Sequence, residues 1–319
     1  MSYNFDPEIA ALLEFMPPVD VADPAAARAA FAGATAALIA DLDTSGVDIS
    51  DRAAPGLNGA PEVAVRVYRP AAADGPVPGL VYIHGGGFVL GNLDSEHGIC
   101  VNLCRALGIV VVSVDYRLSP ETAYPGPQDD CYAALQWTAA NAAGLGIDPQ
   151  RLGIGGQSAG GCLAAACALR ARDEKGPALC FQFLGIPVLD DRLDTPSMVQ
   201  FSDTPCWDSG KAALSWKFYL GDSLNAGADN VPAYAAPARA SDLAGLPPAY
   251  ITTMEFDPLR DEGLQYGMRL LAAGVPCELH NYPGTFHGSS VFAHTAIHQR
   301  ELADTLAVLR RGLGVDQSG

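Results

Sequence analysis

Arg151-Leu-Gly-Ile-Gly-Gly-Gln-Ser-Ala-Gly-Gly161 reads as a short buried strand, a turn too tight for large side chains, and the first turn of a helix. Ser158 sits at that turn. In Gly156-x-Ser158-x-Gly160 the flanking glycines remove Cβ atoms where strand and helix nearly touch, so the serine hydroxyl projects from a strained backbone into a cleft. The same serine precedes a helix N-terminus, whose free backbone N–H groups stabilise a developing anion. In a chain with 34 glycines this pattern alone is weak evidence. Its weight depends on whether the rest of the chain supplies a base, an acid and an oxyanion loop.

A serine hydroxyl becomes a useful nucleophile only when a base takes its proton and a third group orients that base. Six histidines are available. His84 leads a triple glycine, His97 opens a helix, His280 lies inside a strand, and His294 and His298 are four apart on the last helix. His287 differs, standing in Pro283-Gly-Thr-Phe-His-Gly288, in the turn after the last strand. In an open α/β sheet such turns line the crevice at the carboxyl ends of the strands. The acid then belongs to the turn after the preceding strand. Asp257, in Thr253-Met-Glu-Phe-Asp-Pro-Leu-Arg-Asp-Glu-Gly263, leaves that strand end, and its place before Pro258 also suits a helix cap. Asp261 and Glu262 fall inside the following helix and read as structural ligands of loops. His294 and His298 have metal-ligand spacing without a third partner, so a solvated helix face is expected and no metal.

His84-Gly-Gly-Gly-Phe88 follows a central strand and is placed to turn N–H groups into the cleft. One donor aimed at a tetrahedral oxyanion is worth roughly 3 kcal/mol. Gly85, Gly86 and Ala159 are the candidate donors, with His84 orienting the loop. A phosphate-binding loop is the weaker reading, because the Lys and the glycine spacing of a P-loop are missing.

Working outward, strands are expected at Val63–Arg69, Gly79–His84, Ile109–Asp115, Arg151–Gly155, Phe181–Val188, Pro248–Glu255 and Cys277–Tyr282. Val63–Arg69 alternates like an edge strand, and Gly79–His84 is a continuous apolar run like a central one. Helices between them cover about Ser95–Leu107, Asp129–Ala143, Ala159–Arg172 and Pro258–Ala273, with a last one from Val291 to about Arg311. That alternation predicts an α/β class with a mainly parallel sheet of about eight strands and helices on both faces. Residues 1–45 carry two helical patterns, Pro7–Phe15 and, after the cap Asp23 with Pro24, Ala25–Leu42. They read as an accessory layer ahead of a catalytic domain spanning 46–319. Nearly sixty residues, about 189–246, separate two strands and carry a helix near Lys211–Tyr219. So long a connection in a compact domain is usually a lid or binding layer.

The net charge of −17 repels phosphate backbones and anionic lipid surfaces, so neither nucleic acid nor membrane partners are expected. No apolar run is long enough to span a bilayer. The N-terminus shows no basic segment followed by an apolar one, and a cytoplasmic location is expected. Eight cysteines are scattered without a C-x-x-C pair. They read as small buried thiols, Cys100 and Cys104 included.

His84-Gly-Gly-Gly-Phe88, Val114-Asp-Tyr-Arg-Leu-Ser-Pro-Glu121, Gly156-Gln-Ser-Ala-Gly-Gly161, Asp257-Pro-Leu-Arg-Asp-Glu-Gly263 and Phe286-His-Gly288 together resemble the bacterial hormone-sensitive lipase (family IV) esterases of the α/β-hydrolase fold. The resemblance implies nucleophile Ser158, acid Asp257, base His287 and oxyanion donors Gly85, Gly86 and Ala159. It implies a cofactor-free carboxylic ester hydrolase acting on small, short-chain acyl esters. It also implies a helical cap built from residues 1–45 and the insertion, and suggests dimers. Asp115, Tyr116 and Arg117 are then scaffold residues near the site. The sequence departs from the pattern at Gln157, where the family usually has Asp. An amidase or deacetylase with the same triad is the alternative. A non-catalytic small-molecule receptor is the remote one, because such receptors lose the histidine that this chain keeps.

Overall fold

A computed structural model describes residues 3–16 and 19–315. The chain opens with a short helix α1 (Pro7–Ala10) and the longer α2 (Pro24–Ile39). Asp23 caps α2 by accepting from the Ala26 N–H at 3.1 Å, with Pro24 at the first helical position. Strands β1 (Val47–Ala54), β2 (Val63–Pro70) and β3 (Val77–Ile83) follow, then α3 (His97–Leu107), β4 (Val110–Asp115), α4 (Gly126–Ala140) and α5 (Ala142–Leu145). The second half runs β5 (Ile147–Gln157), α6 (Ala159–Asp173), β6 (Phe181–Gly185), α7 (Pro196–Gln200), α8 (Ser209–Leu220), β7 (Ala249–Phe256), α9 (Arg260–Ala272), β8 (Cys277–Phe286) and α10 (Ala296–Gly312). Among the described residues, no helix is long and apolar enough to cross a membrane.

The eight strands form one sheet in the order β1-β2-β4-β3-β5-β6-β7-β8. β2 pairs antiparallel with both β1 and β4, and every other pairing is parallel. Side-chain alternation splits the core across the two faces of this sheet. Val81 and Ile83 of β3 join Val112, Val114 and Ile154 in a cluster with α4 and α6, while Leu80 and Tyr82 join Val111 in a second cluster with α3 and α10. Burial on both faces is the physical reason that β3 is apolar without interruption and that β4 is apolar up to Asp115 except for the buried Ser113.

Several boundaries differ from those that local pattern suggests. Val63–Arg69 is not an edge strand, because β1 covers its outer side. β1 itself, Val47-Asp-Ile-Ser-Asp-Arg-Ala-Ala54, has only Ala54 buried, and so carried no clear period in the sequence. β6 stops at Gly185, since Ile186 adopts φ 39° and turns the chain out of the sheet. Pro7–Phe15 is broken into α1 and a 3₁₀ turn at Leu13–Phe15. α10 begins at Ala296 and is preceded by a 3₁₀ turn at Ser289–Val291, so His294 lies ahead of the helix.

The long connection from β6 to β7 is anchored rather than loose. Asp191, fully buried, takes Arg239 through Nε at 2.5 Å and Nη2 at 2.8 Å, and also accepts from the Gly227 N–H at 2.8 Å. The buried Glu262 of α9 accepts from the Leu189 N–H at 2.6 Å and contacts that of Asp190 at 3.4 Å. Asp261 accepts from the Ser197 N–H at 2.8 Å. Both α9 carboxylates thus hold the connection, as their helical positions implied. Burial pushes the Glu262 carboxyl well above the usual range.

Candidate active site

At the end of β5, Ser158 takes φ 55° and ψ −119°, a strained conformation for a residue with a side chain. The space around it explains the glycines. A Cβ on Gly156 would lie 2.3 Å from the Ile83 carbonyl oxygen, and one on Gly160 would lie 2.0 Å from the same atom and 2.6 Å from the His84 oxygen. Only glycine lets α6 approach β3 this closely. Ser158 is anchored by its N–H to the Gly185 carbonyl at 2.8 Å, and its own carbonyl accepts from Cys162 and Val188. Gln157 packs its Cγ beside Gly185, where an added Cβ would come within 2.9 Å.

The parallel register of β7 and β8 sets Phe256 opposite Phe286, so the residues just beyond them, Asp257 and His287, emerge side by side. His287 Nδ1 lies 2.7 Å from Asp257 Oδ2, and His287 Nε2 lies 3.0 Å from Ser158 Oγ. All three residues are buried, at 1% exposure for Asp257 and 6% for Ser158 and His287. A carboxylate can only accept, so Nδ1 carries the proton and Nε2 is left to accept from the serine. The other Asp257 oxygen accepts from the Leu259 N–H at 2.8 Å, a bond of the turn ahead of α9; Leu259, not Asp257, holds the cap position of that helix, because the helix begins only at Arg260.

The triple-glycine turn leaves β3 beside this line, with Gly86 and Gly87 at φ 108° and 59°. His84 Nδ1 lies 2.7 Å from the Gly85 carbonyl, and the ring stacks on Tyr116 at 4.2 Å, whose hydroxyl donates to the His84 carbonyl at 3.1 Å. Burial lowers the His84 pKa to about 4, so the imidazole is neutral at ordinary pH and orients the loop. Arg117 closes a bidentate pair with the buried Asp130 at 2.7 and 2.8 Å, which fits the scaffold role read for this segment. Ala159 is the first residue of α6, and its N–H has no partner within the helix.

Four participants carried no functional signal in the sequence. Glu96 keeps some exposed surface, but its carboxyl group is enclosed; burial raises it to about 7, against a hydrogen bond from the Gly85 backbone. The Trp207 ring lies 5.9 Å from the His287 ring, and its edge would be 2.5 Å from a Cβ on Gly87, so it spans His287 and the glycine turn. Cys206 sits beside Gly288, its Sγ 3.0 Å from where a Cβ would be, and burial pushes its thiol up to about 11. The fourth is His298. Far from solvated, it is 4% exposed, with Nε2 3.0 Å from Ser289 Oγ and Nδ1 2.7 Å from Glu301 Oε2. Four-residue spacing on a helix could not reveal this, because the partner Ser289 comes from the turn before α10.

A cavity of about 440 Å³ opens where β6, β7 and β8 begin, lined by Phe181, Ala249, Cys277 and Arg311. It is at the opposite end of the strands from Ser158, so the crevice at the carboxyl ends remains the candidate site.

Residues 80–291 match a family model described as alpha/beta hydrolase fold. The chain belongs to this family. Every motif quoted above for the resemblance lies within the matched span, from His84 to Gly288. This α/β hydrolase is 43% identical over 231 residues to esterase LipI of Mycobacterium tuberculosis, covering 71% of this chain and 70% of the relative. It is 42% identical over 261 residues to carboxylesterase NlhH of the same organism, covering 81% of each. Among solved structures, a bacterial heroin esterase superposes on the hydrolase with a TM-score of 0.96 at 54% identity, over 97% of this chain and 98% of that one.

Proposed function

We propose that the chain is a serine carboxylesterase of the hormone-sensitive lipase type, and that Ser158, His287 and Asp257 carry its chemistry. The observation that bears most weight is the buried line Ser158 Oγ, His287 Nε2, His287 Nδ1, Asp257 Oδ2, with steps of 3.0 and 2.7 Å. Ser158 Oγ attacks the ester carbonyl carbon while His287 Nε2 takes its proton. Asp257 holds the imidazole in the tautomer that can accept, and stabilises the imidazolium that results. The tetrahedral oxyanion is met by the N–H groups of Gly85, Gly86 and Ala159. His287 then gives its proton to the departing alcohol. Water, deprotonated by the same nitrogen, releases the acid and restores Ser158.

The segment 1–45 and the insertion 189–246 act as a cap over this site. Supporting that role, Phe5 packs on Phe256 and Phe286 at the two strand ends, with ring centroids 5.4 and 5.2 Å away, and Trp207 crowds the glycine turn. Aromatic rings packed at the strand ends and beside the glycine turn support small esters with short acyl chains as substrates. The names of the relatives, an ethyl acetate hydrolase of Pseudomonas putida among them at 36% identity, agree with such substrates.

The test is hydrolysis of p-nitrophenyl acetate and butyrate by purified protein, beside the matching anilides. Ester turnover that falls by about 10³-fold or more in Ser158→Ala is the expected result. No release of p-nitrophenol, or a Ser158→Ala variant as active as the parent, sinks the proposal.

A further inference from the structure

His287 is held on one side by Asp257, yet the turn that carries it, Phe286 to Ser289, is held by a separate set of groups: the buried Ser289 and His298 and the part-buried Glu301. Ser289 is fully buried, and its Oγ accepts from the Phe286 N–H at 3.3 Å, a bond that closes the turn across His287. The same Oγ lies 3.0 Å from His298 Nε2, and His298 Nδ1 lies 2.7 Å from Glu301 Oε2. Glu301 only accepts when ionised, so Nδ1–H donates to it, Nε2 accepts the Ser289 hydroxyl proton, and the hydroxyl oxygen is free to accept from Phe286. In that arrangement every donor in the chain of bonds has an acceptor. Any other tautomer of His298 leaves the Ser289 proton without one.

We propose that Ser289, His298 and Glu301 form a second hydroxyl–imidazole–carboxylate relay, built like the reacting one but used to position the turn that carries His287. It rests on the reading of His287 as the general base. Ser289 cannot itself react with an ester, because it is enclosed and its oxygen already accepts a backbone N–H. Its work is mechanical. α10 is packed on the sheet through Val308 and Leu309, and the relay transmits that fixed position to the turn two residues from Nε2. Hydrogen-bonded supports of this kind matter because small misplacements of a reacting nitrogen cost rate rather than substrate binding.

Three substitutions test the relay. Ser289→Ala removes the acceptor of the Phe286 N–H, His298→Phe keeps ring volume without nitrogens, and Glu301→Gln retains an oxygen that accepts from Nδ1–H. In Ser289→Ala and His298→Phe, kcat for p-nitrophenyl acetate is expected to fall about 10-fold or more with KM within about twofold. The low-field proton resonance of the His287–Asp257 hydrogen bond is expected to broaden or move. Glu301→Gln is expected to stay within about threefold of the parent in kcat, with the resonance kept. If His298→Phe does not fold, Ser289→Ala, which deletes one hydroxyl, decides alone. Folded Ser289→Ala protein with parental kcat and an unmoved resonance overturns the proposal, as does a loss of thermal stability with kcat unchanged. The resonance needs no substrate. A parent protein without ester turnover therefore counts against the proposed function, whereas an unmoved resonance counts against the relay.

Discussion

Asp257 and His287 stand one residue beyond a paired position of the sheet, Phe256 opposite Phe286, reached through a break in the β7–β8 register after Met254–Tyr282, and there Oδ2 lies 2.7 Å from Nδ1. The carboxylate's second oxygen is fixed by the Leu259 N–H, so the pair has little freedom to reorient. Asp257→Asn should keep the fold but offer an amide N–H or a weaker acceptor to Nδ1, favouring the tautomer that cannot take the serine proton. A fall in kcat of about 10³- to 10⁴-fold is expected, by analogy with other triads. Steady-state kinetics on p-nitrophenyl acetate, with circular dichroism as the folding control, measure it.

Gly160→Ala introduces a Cβ 2.0 Å from the Ile83 oxygen and 2.6 Å from the His84 oxygen, both backbone atoms that cannot rotate away. Helix α6 must then shift from β3 and carry Ser158 with it. Loss of at least about 3 kcal/mol of stability, together with nearly all activity, is expected. Urea unfolding reads the first. A Gly160→Ala protein of parental stability would show the contact to be softer than the backbone geometry implies.

Glu96 makes stability depend on pH in a direction opposite to most carboxylates. Its carboxyl is raised from 4.5 to about 7 in the fold, so the folded state holds this proton more tightly than the unfolded chain. The associated stabilisation is complete below about pH 4.5 and is lost as pH rises toward 7. His84, lowered from 6.5 to about 4, works the other way: it favours the fold above pH 6.5 and costs stability as pH falls toward 4. In the parent the two slopes largely cancel between pH 4.5 and 6.5. Glu96→Gln removes one of them. Its stability relative to the parent should be near zero at pH 4.5 and rise to roughly 2–3 kcal/mol by pH 8. Urea titrations of both proteins at pH 4.5, 6 and 8 give the comparison, and a constant difference across pH would contradict it.

Arg239→Ala strands the fully buried Asp191 carboxylate, which would keep only the Gly227 N–H. Removing one partner of a buried ion pair costs about 3–5 kcal/mol. The double change Asp191→Leu with Arg239→Met removes both charges and should cost much less. Chemical denaturation of the two variants separates the pair's own contribution from the penalty of an orphaned charge.

Much of the site could be read in the sequence because its residues obey local rules. Gly156, Ser158 and Gly160 mark a strand-to-helix turn through sterics that span five residues. Asp257 and His287 follow apolar runs, and runs bounded by turn residues locate strand ends. The outer strand β1 was hidden because it buries only Ala54 and so shows no alternation. His298 was misplaced on a solvated face for a related reason, since its burial depends on Ser289 and on packing of α10 against the sheet.

The sequence by itself determined the fold class and the family and marked Ser158, His287 and Asp257 as candidates for one site, because each is written in short-range patterns of glycine, apolar residues and turns. Only the tertiary structure decided which groups surround them. The pairing of Phe256 with Phe286, the crossing of Trp207 over the glycine turn and the Ser289–His298–Glu301 set all join stretches of chain that local pattern does not connect. Contacts of that kind follow from sheet register and helix packing, neither of which leaves a periodic trace in the residues that make them.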